Sequence, residues 1–221
     1  MAKEIKKETS EAVVEAVSKT DLFFKENEKT IIAVVVAAVV IAFGVFAFQK
    51  WVYQPKAAEA QGQLFPAEAA FAAQNWEVAL NGDGNNLGIA DVISQYKAAA
   101  PKAAWFEAGV CALQIGNYEE ALGYLKAYKG KDAILKARAI ACQGDAQVGL
   151  ENYEAALACY EKAAGVVENM YAAAYLLKAG AVAEKLEKND VALRHYQTIK
   201  EKYPQSIEGY DIDKYITRIS K

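Results

Sequence analysis

The sequence predicts an all-α protein: a single transmembrane helix followed by an α-solenoid of tandem helix pairs, closed by a C-terminal capping helix. Three observations predict it. Ile31 to Phe48 is an uncharged apolar run of membrane length. Gly109, Gly144 and Gly180 recur at steps of 35 and 36 residues, and Ala121, Ala156 and Ala192 keep the same steps. Four Pro and 14 Gly in 221 Ala-rich residues supply too few turns for an all-β chain.

Composition narrows the function classes. The net charge is −3, so no basic excess exists to displace phosphate counterions, and nucleic acid is not an expected partner. A hydrophobic fraction of 54% argues against extended disorder. One His and three Cys leave little material for a metal site.

Residues 1–29 read as a cytoplasmic tail. Ile5, Val13, Val17 and Phe24 fall at roughly helical spacing among alternating Lys and acids. This suits either a short amphipathic helix at the membrane surface or a solvated, frayed tail. Residues 30–53 read as the transmembrane helix. The apolar run spans about 27 Å at helical rise, close to the hydrocarbon thickness of a bilayer. Trp51 and Tyr53 stand where an interfacial aromatic belt belongs, and Lys29 and Lys50 can snorkel. The preceding stretch carries seven acids and six lysines, and the exit Phe48-Gln49-Lys50-Trp51 contains no small-x-small cleavage site. A retained anchor is therefore expected rather than a cleaved signal. Six lysines precede the run, against Lys50 and Lys56 in the twenty residues after it. That bias predicts a single-pass inner-membrane protein with a cytoplasmic N-terminus and a periplasmic C-terminal domain. Ala33/Ala37 and Ala38/Ala42 have small-xxx-small spacing, which suits either contact with another membrane helix or plain lipid-facing alanines.

Residues 54–101 read as a degenerate first repeat and connecting helix. Gln74-Asn75-Trp76-Glu77-Val78-Ala79-Leu80 echoes the turn and second helix of the later units, and Pro66 is expected to kink the helix before it. Asn81 to Gly88 is the clearest loop. Its acid-amide pattern resembles a calcium loop, but Asn86 stands where Gly is required and Val92 where the bidentate Glu is required. A turn leading to a helix over 89–99 is the expected structure.

Residues 102–206 repeat. Asn117-Tyr118-Glu119-Glu120-Ala121-Leu122 returns as Asn152-Tyr153-Glu154-Ala155-Ala156-Leu157 and, more loosely, as Asn189-Asp190-Val191-Ala192-Leu193. The glycines let the helices of a pair approach closely, and the alanines are their small contacts on second helices. Trp105, Tyr124, Tyr160 and Tyr196 are expected to fill the space between pairs, and Pro204 ends the third unit. A period near 34 in helix–turn–helix units resembles the tetratricopeptide repeat. Ala108, Gln143 and Ala179 depart from its usual Leu, and the first two units have no closing Pro. Residues 207–221, with Asp211 to Ile219 at their centre, read as the capping helix that stacked repeats need.

The whole layout, with its tail, span, Asn-Gly-Asp-Gly loop, Asn-Tyr-Glu-x-Ala repeat and Tyr-Pro-x-Ser end, resembles the membrane-anchored YfgM-like class in its Bacteroidetes form. The resemblance implies an ancillary subunit or chaperone accessory at a SecYEG-type translocon, beside a PpiD-type membrane-anchored chaperone and secreted clients. No catalytic residue transfers, and no cofactor is implied.

Direct search for chemistry agrees. His195 has no framing His/acid pair, and no zincin, Walker, Cys-x-x-Cys or Gly-x-Ser-x-Gly pattern occurs. Cys111, Cys142 and Cys159 read as packing residues, with a disulfide pair open in an oxidising compartment. What remains is a concave groove lined by first helices. Its expected positions are Phe106, Val110 and Leu113, then Ala141, Asp145 and Val148, then Leu177 and Glu184, with Arg138 as its basic member. Such a groove suits an apolar or amphipathic partner segment, or else is filled internally. The expected function is a non-catalytic, membrane-tethered interaction scaffold at the translocon. The alternatives are a scaffold for another envelope assembly and, more remotely, an enzyme.

Overall fold

A computed structural model describes residues 27–166 and 168–220. The reading of the tail over residues 1–26 lies outside them. The described residues are helical with no strand. The chain divides into two compact units, one ending at Pro55 and one over Lys56–Lys221.

In the first unit, α1 occupies residues 27–48 and passes into a π-helical turn, Gln49–Tyr53. Within the helical run Asn27–Ala72, the most apolar stretch of 18 residues has no buried side chain. A core helix of a soluble protein would be mostly covered. This one is long and apolar enough to cross a membrane, with its side chains open on every face. Ala33, Ala37, Ala38 and Ala42 are all exposed on it.

The second unit is built from α2 (Gln54–Ala72), α3 (Trp76–Asn81), α4 (Ile89–Tyr96), α5 (Lys102–Gln114), α6 (Tyr118–Ala127), α7 (Ala133–Gly149), α8 (Tyr153–Val166), α9 (Tyr171–Lys185), α10 (Asn189–Lys202), α11 (Ile207–Tyr210) and α12 (Ile212–Ile219). Consecutive helices from α5 to α10 pack in tandem, and α12 closes the stack against α10.

One turn recurs four times. Gln74, Gly116, Glu151 and Glu187 take the left-handed conformation, with φ of 60°, 82°, 60° and 59°. The next residue in each case donates its backbone N–H five residues back: Asn75 to Ala70, Asn117 to Ala112, Asn152 to Gln147 and Lys188 to Ala183. This is the six-to-one hydrogen bond of a Schellman ending. The carbonyl of that same residue then accepts the first bond of the following helix, from Ala79, Ala121, Ala156 and Ala192. Gln74 thus marks α2–α3 as a pair of the same kind as α5–α6, α7–α8 and α9–α10. The turns also correct the third unit's alignment: Lys188, not Asn189, stands in the place of Asn117 and Asn152, because it makes the same two bonds.

The glycine series separates the helices of each pair by the least possible distance. A Cβ at Gly109 would lie 2.6 Å from Leu125 Cγ, and one at Gly144 would lie 2.6 Å from the Tyr160 ring. One at Gly180 would collide with the Tyr196 ring. Tyr160 and Tyr196 are buried and fill the space within pairs. In the α5–α6 pair Leu125 takes that place. Tyr124, expected in the series, is one residue out of register and leans instead on Trp105, with ring centroids 6.3 Å apart. Between units a second contact repeats. The Tyr118 ring closes over Gly149, and the Tyr153 ring sits beneath Lys185, 5.6 Å from its Nζ. The Tyr of the Asn-Tyr-Glu motif therefore joins one unit to the next.

Apolar burial forms two main clusters. One runs from Ala60 and Leu64 of α2 through α3–α6 to Ala139 and Ala146 of α7. The other starts at Ile140 and Ala141 of α7 and ends at Ile212 of α12. Two neighbouring faces of α7 serve the two cores, as expected of units that cannot bury their apolar sides alone.

α2 continues through Pro66. Two local features differ from the expected pattern. The helix expected over 89–99 ends at Tyr96 and continues as a single 3-10 turn, Lys97–Ala99. The cap is two helices rather than one: Ser206 caps α11 by accepting from Gly209 N at 3.0 Å, and α12 restarts after Asp211. The loop after α3 is closed by Asp83, whose Oδ1 accepts from the backbones of Asn85 (2.9 Å) and Asn86 (2.7 Å). Hydrogen bonding from Asn86 holds its carboxyl below the usual range.

Replacing Gly144 by Ala is expected to destabilise the protein by roughly 1–3 kcal/mol, because a buried ring must give way. Gly165→Ala, on α8 with nothing within 4 Å of its Cβ, is expected to be neutral or stabilising by up to about 1 kcal/mol. Thermal unfolding of the two variants in detergent measures the contrast.

Candidate partner-binding groove

The groove positions come from the first helices α5, α7 and α9. Phe106 and Ala141 are buried, at 8% and 3% exposure. Val110, Leu113, Asp145, Val148, Leu177 and Glu184 are half-buried, and Arg138 is exposed. Phe106 is flanked by the Tyr128 ring, 5.9 Å between centroids, and lies beneath the Arg138 guanidinium at 6.0 Å. Its surface is therefore largely taken up by the protein's own side chains.

The two acids of the groove are neutralised from within. Asp145 Oδ1 accepts from Tyr160 Oη at 2.7 Å and from Lys178 Nζ at 2.6 Å. Glu184 Oε1 accepts from Tyr196 Oη at 2.5 Å, and both its oxygens accept from Arg218 Nη2, at 2.6 and 2.8 Å. Each acid is on a first helix, each tyrosine on the second helix of the same pair, and each base on the next element of the stack. Burial, then the adjacent carboxylate, pushes both phenols well above the ordinary tyrosine range. They act as fixed donors and not as acids.

Sequence reading placed Asp145 and Glu184 in the groove but missed Tyr160, Lys178, Tyr196 and Arg218 as their partners. A signal existed. The pairs Asp145–Lys178, Glu154–Lys188, Glu161–His195 and Glu184–Arg218 are 33 or 34 residues apart, one repeat, at 2.6 to 3.0 Å. An acid and a basic residue one repeat apart are neighbours across a junction. His195 is thereby a tie to Glu161 on the preceding second helix. The thiols play no matching part: burial raises Cys111 to about 12 and Cys142 to about 11, so both hold their protons.

Met170 before α9 and Tyr171 at its start, with Ile207 and Tyr210 of α11, leave large apolar groups exposed, Ile207 at 82%. Met170 also lines a recess of about 560 Å³, together with Glu168, Asn169, Lys202 and Pro204 among others.

Four equivalent turns, glycine-spaced pairs and one-period charge ties define the architecture. The family model of the tetratricopeptide repeat matches residues 90–133 and 143–207. The chain carries tetratricopeptide repeats. No curated protein matches it. Tetratricopeptide repeats mediate protein–protein interactions and are typically non-catalytic, so the second unit is an interaction scaffold.

Tyr160→Phe combined with Asp145→Ala is expected to show a coupling of about 1 kcal/mol or more in a thermal double-mutant cycle, because the phenol is buried. Lys178→Ala alone is expected to cost under about 1 kcal/mol, since that ion pair is open to water.

Proposed function

We infer that the chain is a membrane-tethered interaction scaffold of a bacterial inner membrane. Residues 30–53 span the bilayer, the N-terminus is cytoplasmic and the repeats are periplasmic. It acts as an ancillary subunit or chaperone accessory of a SecYEG-type translocon, beside a PpiD-type chaperone, and helps to receive secreted clients. The observation that carries this reading is a fully exposed helix of membrane length on a chain that continues into tetratricopeptide repeats. The resemblance of the layout to the YfgM-like class supports the translocon as the partner, and the lysine bias supports the orientation. With Asp145 and Glu184 internally paired, the groove offers few free charges. Half-buried Val110, Leu113, Val148 and Leu177 then favour an apolar or amphipathic segment of the partner.

A photocrosslinking residue at Val110 or Leu113, irradiated in cells, is expected to capture translocon subunits, a periplasmic chaperone or an emerging client. Adducts confined to other envelope assemblies would reject the translocon role and leave the scaffold. A C-terminal alkaline phosphatase fusion is expected to be active; a stable but inactive fusion would place the repeats in the cytoplasm.

A further inference from the structure

The junction between α2 and α5 carries a charge pattern opposite to the one that ties the later units. Seven residues before each left-handed turn residue stand Ala67, Gly109, Gly144 and Gly180. In the α7–α9 junction the residue after this marker, Asp145, pairs with the residue two before the next marker, Lys178, at 2.6 Å. The same two positions of α2 and α5 hold Glu68 and Glu107. Two carboxyls occupy the place of an acid and a base.

Glu107 is the uncomfortable member. Its Oε2 is buried with no hydrogen-bond partner. Glu68 Oε1 accepts from Gln61 Nε2 at 3.3 Å, and among the described residues no ion pair joins a base to either acid. The other ionisable groups around α5 are turned elsewhere. Tyr96 of α4 donates to Glu59 at 2.9 Å, and Tyr124 of α6 donates to Glu120 at 3.2 Å. Glu77 of α3 and Asp91 of α4 are exposed. On α7, Cys142 lies in the fields of Asp145, Lys178 and Arg138. On α5 itself, Cys111 stays a thiol. Glu68 is thus the charge that Glu107 feels from outside its own helix.

We propose that Glu107 is a proton-dependent latch between α2 and α5: it holds a proton while α2 is docked, and giving that proton to water loosens α2 from the repeats. Burial, and then the Glu68 charge, raise Glu107 from 4.5 to about 7. The docked state therefore binds the proton more tightly than the opened state. Docking is strongest below about pH 4.5, weakens as pH rises towards about 7, and is weakest above it. α2 is the helix through which the chain enters the repeats, so the latch governs the first repeat and spares the three that follow.

Hydrogen exchange of the full-length protein in detergent, corrected for intrinsic rates, tests this between pH 5 and pH 8. Protection of residues 56–72 is expected to fall about tenfold or more over that range, with α9 and α10 unchanged. Glu107→Gln is expected to remove the pH dependence. Glu107→Lys, which recreates the Asp145–Lys178 arrangement, is expected to protect α2 better than wild type at pH 8. Glu68→Gln is expected to move the wild-type transition to lower pH. Wild-type α2 protection that is independent of pH would overturn the latch. So would a Glu107→Gln or Glu107→Lys protein whose α2 loosens with pH as the wild type does.

Discussion

The solenoid depends on how closely the two helices of a pair approach. Gly109, Gly144 and Gly180 leave no side chain between the axes, so Leu125, Tyr160 and Tyr196 lie directly on the facing backbone. Everything further out follows from that spacing. It brings the Tyr160 and Tyr196 hydroxyls within reach of Asp145 and Glu184. Those acids then face the next unit, where Lys178 and Arg218 meet them. A wider pair would leave the phenols buried without an acceptor, which costs more than the hydrogen bond itself contributes.

The inner surface is consequently less open than a row of first-helix positions suggests. Small residues at the contacts draw Phe106 and Ala141 into the core, and the acids of the groove face neighbouring repeats rather than solvent. A scaffold built this way recognises partners through apolar shape more than through charge. The junctions are also unequal. Between α5–α6 and α7–α8 the described residues show no ion pair of the one-period kind, and the junction carries instead the Tyr118–Gly149 contact and the Arg138–Phe106 stacking. The later junctions add charge ties, and the corresponding positions of the entry junction hold two carboxyls.

Much of the fold was legible because its causes are local or periodic. The apolar run of α1, the alanine and glycine series, the loop at Asp83 and the terminal cap can each be read within one helix or one turn. Where sequence and structure differ, the difference is one of register. Tyr124 shares the spacing of Tyr160 and Tyr196, but Leu125, one residue on, faces Gly109. Asn189 resembles Asn117 in its side chain, but the backbone bonds of the turn select Lys188. At a helix turn the backbone conformation decides equivalence, and several residue types satisfy it.

The sequence by itself determined the helical class, the membrane-length segment and the repeat period, since each rests on the chemistry of neighbouring residues or on their recurrence. Tertiary structure decided which groove residues remain accessible, which acid meets which base, and that Glu107 Oε2 is buried without a hydrogen-bond partner. Those outcomes depend on contacts between residues one repeat apart, and burial changes the free energy of a charge only once the neighbouring helix is in place.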